Sequence, residues 1–223
     1  MNYHLNNIED LLNHPFTTLD SKSRFSSIKL VIPNDDAQHT CRTASLSILI
    51  TNQLNDLLID KIDIKDVVYR AVIHDFGESV SADLICTVKH GSPKIAEGMK
   101  ELEAMRLTKV PCMTTDLFND IQNSKDDESI QANILDIADK LDAFMTINRE
   151  YLIQQTKEFD TLFCECFSYT SNAIKKLTDV LISKNELPAV NWLNKLLSSF
   201  EIYFRSTRLE RYLGRTNLRK DFE

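Results

Sequence analysis

The dipeptide His74-Asp75 is the first place in the chain where residue types suggest chemistry. It follows the apolar run Val67-Val68-Tyr69-Arg70-Ala71-Val72-Ile73 and precedes Phe76-Gly77-Glu78. Adjacent His and Asp offer one imidazole nitrogen and one carboxylate oxygen, a pair suited to a borderline divalent cation. Two more residues could complete such a set: His39 in Asp35-Asp36-Ala37-Gln38-His39-Thr40, and Asp139 in Leu135-Asp136-Ile137-Ala138-Asp139-Lys140-Leu141-Asp142. Asp139 has apolar residues before and after it. An unpaired buried carboxylate is costly, and a cation would remove that cost. Each residue also has a plainer reading. A lone His near a helix end is more often structural, and Asp136, Asp139 and Asp142 follow at i, i+3 and i+6, as one solvated acidic face would.

The elements that must hold these residues read as helices. Leu5, Ile8, Leu11 and Leu12 space a short helix over 4–14, stopped by Pro15, and 16–34 reads as a connecting segment. A helix is predicted from Asp35 to about Leu58, with Ala37, Cys41, Ala44 and Ile48 on one face and His39 near its start. Asp63 is a plausible N-cap for the next helix, in which Val67, Ala71 and His74 lie at i, i+4 and i+7 and which Gly77 is predicted to end. After an irregular stretch over 78–92, Pro93 opens a helix to about Val110, closed by Pro111. A short helix over 114–122 and a polar loop over 123–128 lead to a long helix. Its apolar stripe runs through Ile130, Ile134, Ile137 or Ala138, Leu141, Phe144 or Met145 and Ile147. Two or three further helices are expected over 159–213, with Pro188 at a boundary.

Composition agrees. The 223 residues include four glycines and five prolines, about 4% against about 12% in average usage. Sandwiches, barrels and Gly-looped nucleotide folds need more turn formers than that, so an all-α fold is predicted. Net charge is −7, which argues against binding a nucleic acid polymer. No stretch approaches the roughly 18 apolar residues of a membrane helix, and Met1 to Asp10 lacks a leader pattern, so a cytoplasmic location is expected. The five cysteines, Cys41, Cys86, Cys112, Cys164 and Cys166, are odd in number and contain no Cys-x-x-Cys pair. They read as mostly buried thiols.

Taken together, several strings resemble a known family. They are Arg24-Phe25, Gln38-His39-Thr40 ahead of a helix, His74-Asp75 with Glu78 three residues on, Asp83-Leu84 with Val88-Lys89 after it, and Ala138-Asp139 with Leu141. In this order they resemble the H…HD…D signature of the HD-domain metal-dependent phosphohydrolases, and within that superfamily the YfbR-like 5'-deoxynucleotidases. The resemblance covers about residues 20–150.

It implies an all-α HD-domain helical bundle with additional C-terminal helices, read as one domain over 1–223 with an extension over about 155–223. His39, His74, Asp75 and Asp139 would hold one divalent ion (Mn, Co, Mg, Zn or Fe), lowering the pKa of a coordinated water and stabilising charge on the phosphoryl group. Asp75 and Glu78 are the implied catalytic carboxylates, Glu78 positioning or protonating during attack. Arg24 would grip phosphate oxygens, Phe25 would pack against the sugar, Asp83 would lie near its hydroxyl, and Lys89 would add positive potential. Glu78 and Asp83 also read as a helix-end acid facing solvent and as an N-cap or Asx turn, and Lys89 as an exposed lysine. The implied substrate is the 5' phosphate of a (deoxy)nucleoside monophosphate, and a homodimer is compatible.

Three departures stand out. Phe25 replaces the usual Trp, Gln38 the usual Glu before the first His, and Ile85-Cys86-Thr87 the usual Pro-Thr-Pro. The same metal centre would also serve a dNTP triphosphohydrolase or a nucleotide phosphodiesterase, and a non-catalytic nucleotide-binding regulatory protein would keep the fold. Toward the C-terminus, Arg205, Arg208, Arg211, Arg215 and Arg219 recur at three and four residues, read foremost as a solvated face. Trp192 reads as core or subunit contact. His4, His14 and His90 have no evident partners in the sequence.

Overall fold

The computed structural model describes residues 14–17, 19–23, 25, 28–80, 92–124, 128–154 and 156–220, without the side chains of Pro15, Ser21, Glu78, Ser79 and 213–220. Arg24, Asp83, Lys89, His4, His90, Cys86 and the predicted helix over 4–14 therefore fall wholly or largely outside the described residues.

Two 3-10 turns, Pro15–Thr17 and Leu19–Ser21, precede the helices α1 (Asp36–Asn55), α2 (Ile64–Ile73), α3 (Phe76–Val80) and α4 (Pro93–Leu107). After them come α5 (Thr115–Asn123), α6 (Ile130–Ile153), α7 (Lys157–Ser183) and α8 (Leu187–Lys220). Among the described residues no strand forms, and Ser23 and Asp35 make an isolated bridge. The fold is all-α. Side chains start most of these helices by accepting an otherwise unpaired N–H: Asp35 from Gln38 in α1, Asp63 from Lys65 in α2, Thr114 from Leu117 in α5, Ser129 from Ala132 in α6 and Thr156 from Phe159 in α7. Pro93 stands in the first turn of α4, where its missing N–H costs nothing.

Helix α6 is the hub, packing against α7, α1 and α2. One apolar cluster joins it to α1, α2, α7 and α8 through Leu54, Val67, Ile134, Ile137, Leu177 and Leu193. A second is aromatic: Tyr151 stacks on Phe163 at 4.1 Å and Phe163 on Phe204 at 5.0 Å. Truncating a fully buried leucine or isoleucine in such a core costs about 2–5 kcal/mol. A third cluster, with Ile73, Leu107, Val110 and Ile121, closes α2 against α4 and α5.

Several expectations are corrected. The helix expected to reach Gly77 ends at Ile73, and Gly77 lies inside α3 without positive φ. A Cβ at Gly77 would sit 3.2 Å from the Glu103 carboxylate on α4, the end of a flexible side chain. Helix α1 stops at Asn55, short of Leu58, where the Leu57 N–H tightens onto the Leu54 carbonyl three residues back at 2.9 Å. The thiols are not mostly buried: of the four described, Cys166 is buried, Cys112 and Cys164 are half-buried and Cys41 is exposed. Arg211 leaves the solvated stripe. It is buried 3.7 Å over the Tyr151 ring and 3.2 Å from Asp160, while Arg205 and Arg208 stay exposed. His14 gains a partner in the Pro111 carbonyl, 3.0 Å from its Nε2. No described helix is long and apolar enough to cross a membrane.

Candidate metal centre

Three elements bring four side chains together. His39 lies in the second turn of α1, His74 and Asp75 form the turn between α2 and α3, and Asp139 sits midway along α6. All four residues are buried, and one ligand atom from each lies within 4.8 Å of all the others. His39 Nε2 is 3.1 Å from His74 Nε2, 3.1 Å from Asp75 Oδ2 and 3.2 Å from Asp139 Oδ1. His74 Nε2 is also 3.1 Å from Asp75 Oδ2.

The far side of each ring decides what these atoms can do. His74 Nδ1 lies 2.7 Å from the Ala71 carbonyl, an acceptor only, so Nδ1 carries the proton and neutral His74 presents a lone pair at Nε2. The local cause is the helix end: the last carbonyls of α2 lack intrahelical partners, and the ring caps one of them. His39 Nδ1 donates to Asp142 Oδ2 at 2.7 Å, with both side chains fully buried. Burial opposes ionisation of Asp142, but hydrogen bonds from His39 and Arg42 outweigh it and hold the carboxyl below the ordinary carboxylate range. An ionised Asp142 can only accept, so His39 too turns an Nε2 lone pair toward the cluster. Two imidazole lone pairs and two carboxylate oxygens crowded in a buried site repel one another unless positive charge lies among them. This donor set, two His and two Asp with their second nitrogens engaged, fits a divalent cation.

The remaining sequence candidates divide. Glu78 lies on α3, three residues after Asp75, and its side chain is outside the described residues. Phe25 is buried in the aromatic cluster around Phe144 and Tyr151, instead of standing open as a platform for a sugar. Its backbone is left-handed, φ 56°, at a cost of roughly 1–2 kcal/mol that the ring's burial offsets. Asp136, the outermost of the three acids of α6, stays partly exposed, whereas Asp139 and Asp142 do not. The plainer reading of one solvated acidic face therefore fails. Sequence reasoning also passed over Arg42, Asn34 and Lys140. Arg42 Nη2 donates to Asn34 Oδ1 at 2.7 Å and Arg42 Nε donates to Asp142. Lys140 Nζ pairs with Asp139 Oδ2 at 3.3 Å, leaving Oδ1 toward the cluster. The available signal was spacing: Arg42 lies three residues after His39, and Asp142 three after Asp139.

Residues 15–185 match the family described as 5'-deoxynucleotidase YfbR-like. The chain belongs to this family. Three solved structures share the YfbR-like chain's fold at low identity. A Pyrococcus horikoshii protein aligns with TM-score 0.61 and 22% identity over 79% of this chain and 97% of its own. A conserved hypothetical protein from Pyrococcus furiosus gives 0.62 and 21% over 87% and 99%. An HD-domain phosphohydrolase from Listeria innocua gives 0.66 and 15% over 95% and 99%. Among curated proteins no sequence matches the chain.

Proposed function

We propose that this protein is a metal-dependent phosphohydrolase that removes the 5' phosphate from nucleoside monophosphates, deoxynucleotides foremost. The observation that carries the reading is the convergence of His39, His74, Asp75 and Asp139 within 4.8 Å, in a chain of this family. A bound divalent cation supplies Lewis acidity toward phosphoryl oxygens and brings the pKa of water toward neutrality.

The chain's own residues supply the rest. Ala71 and Asp142 keep the ring protons of His74 and His39 on the outer nitrogens, so the inner ones are free to ligate. Lys140 holds Asp139 by its outer oxygen. Hydrolysis breaks the ester P–O bond, joins the oxygen of a water to phosphorus and leaves a proton for the departing nucleoside oxygen. Glu78 is the proposed carrier of that proton. Arg24 is the proposed phosphate holder. Its neighbours support this, since the Lys22 carbonyl accepts from the Asp36 N–H at 3.1 Å and Ser23 bridges Asp35, both just ahead of His39. Asp83 and Lys89 are proposed substrate contacts on the resemblance alone.

The test is a product screen over deoxy- and ribonucleoside mono- and triphosphates with Mn, Co, Mg and Zn. Inorganic phosphate from a monophosphate, lost on chelation and in His74→Ala, is expected. Tripolyphosphate as the product, or turnover that persists in metal-stripped protein, would overturn the reading.

A further inference from the structure

The hydrogen bonds behind His39 form a chain with one polarity. His39 Nδ1–H donates to Asp142 Oδ2 at 2.7 Å. Arg42 donates from Nε to Asp142 Oδ1 and from Nη2 to Oδ2 at 3.3 Å, and the same Nη2 reaches Asn34 Oδ1 at 2.7 Å. The Asp142 side chain has no exposed surface, and that of Arg42 is partly covered. Thr43 Oγ1, at 3.4 Å from His39 Nδ1, is too distant to replace the carboxylate. Donors thus press on Asp142 from two sides, and only a group with two acceptor oxygens satisfies both.

We propose that Asp142 is the positioning residue that fixes the His39 tautomer for metal ligation, and that Arg42, by donating to the other edge of the same group, decides which end of an amide placed there would face His39. The inference rests on the metal-centre reading for its consequence. Its core claim, the tautomer, concerns the metal-free protein.

An amide separates this role from simple packing. Asn in place of Asp142 keeps the shape but has one acceptor oxygen and one NH2 donor. Arg42 claims the oxygen, so the NH2 faces His39 Nδ1. The ring then gives up its Nδ1 proton and carries a proton at Nε2, the nitrogen that should ligate. Removing Arg42 as well releases the amide to turn its oxygen to His39. The harm done by Asp142→Asn should therefore be partly undone by Arg42→Ala, whereas a merely structural role makes the double variant at least as impaired.

The experiment uses full-length protein labelled with 15N at histidine, His39 being assigned by loss of its signal in His39→Gln. Wild type should show a protonated His39 Nδ1 without metal. Asp142→Asn should lose that proton and bind Mn about ten- to a hundredfold more weakly by calorimetry, and Arg42→Ala/Asp142→Asn should regain both in part. An unchanged Nδ1 proton in Asp142→Asn, or a double variant no better than the single one, overturns the proposal. If Asp142→Asn does not fold, Arg42→Ala alone decides. It retains the His39–Asp142 bond and should keep the protonated Nδ1 and an affinity changed by well under about tenfold, and loss of the proton sinks the idea. Should wild type bind no divalent cation, the metal reading fails while the tautomer result is read independently.

Discussion

The Nε2 atoms of His39 and His74 lie 3.1 Å apart, and each ring spends its other nitrogen on a different partner, a carboxylate for His39 and a main-chain carbonyl for His74. The folded chain therefore brings together a ligand set that the unfolded chain lacks. Binding to that set in the native state, and not in the unfolded chain, raises stability. At a hundred times the dissociation constant the gain is about 2.7 kcal/mol, or roughly 5–10 °C in Tm for a chain of this size. Thermal scans with Mn against a chelator should show this shift. His74→Ala should abolish it.

Asp139→Asn removes one of two clustered carboxylates. Turnover should fall by at least about a hundredfold, since a ligand matters no less than the groups that orient it. In chelator the same variant should be no less stable than wild type by urea unfolding, because mutual repulsion among the buried ligands is relieved. A variant that keeps activity would contradict the assignment of Asp139.

Glu150 links acid stability to the segment ahead of α1. Its carboxylate accepts the N–H groups of Val31 and Ile32 at 2.9 and 2.8 Å. Burial works against the charge, but these backbone bonds and Gln154 outweigh it, and the carboxyl is held below the ordinary range. Over the interval between the folded and ordinary values the unfolded chain binds more protons, so stability rises with pH there. The contribution is full above the ordinary value of about 4.3 and fades as pH falls through the lower folded one. Glu150→Gln should cost about 1–3 kcal/mol at neutral pH. In urea titrations the gap to wild type should narrow on acidification. A gap that widens would reverse the sign.

Gly77→Ala tests the corrected end of α2. Within α3 and without positive φ, alanine is a better helix former by up to about 1 kcal/mol. The nearest obstacle is the end of the flexible Glu103 side chain, 3.2 Å from the added Cβ. The variant should be neutral or slightly stabilised in thermal unfolding. A loss of several degrees would mean that Glu103 cannot give way.

The helices were legible because their signals are local. Asp35, Asp63 and Pro93 announce starts, and the stripe through Ile134, Ile137 and Ile147 announces the hub. His39, His74, Asp75 and Asp139 were legible through a resemblance in motif order, which no single dipeptide could supply. Asp142 and Arg42 were not, because an acid three residues from another acid and an arginine three residues after a histidine look like surface until tertiary packing covers them. Gly77 was misread for a related reason: glycine often marks a helix end, but here the chain turns at His74 and Asp75, and Gly77 lies within the next helix without positive φ.

Helix α6 meets the segment ahead of α1, and α1 itself, through polar atoms at regular intervals. Asp139 faces His39, Asp142 holds His39 and Arg42, Thr146 accepts from Asn34 at 3.3 Å, and Glu150 clamps Val31 and Ile32. At 100° per residue these four positions fall within an arc of about 80° and span about 16 Å. Apolar side chains set the register of packed helices by shape, and a keyed edge of hydrogen bonds adds partners that mesh in one phase only. One residue inserted into α6 between Asp142 and Thr146 would turn its two halves about 100° out of step. Either the metal ligands or the clamp on residues 31–34 would then engage, and not both.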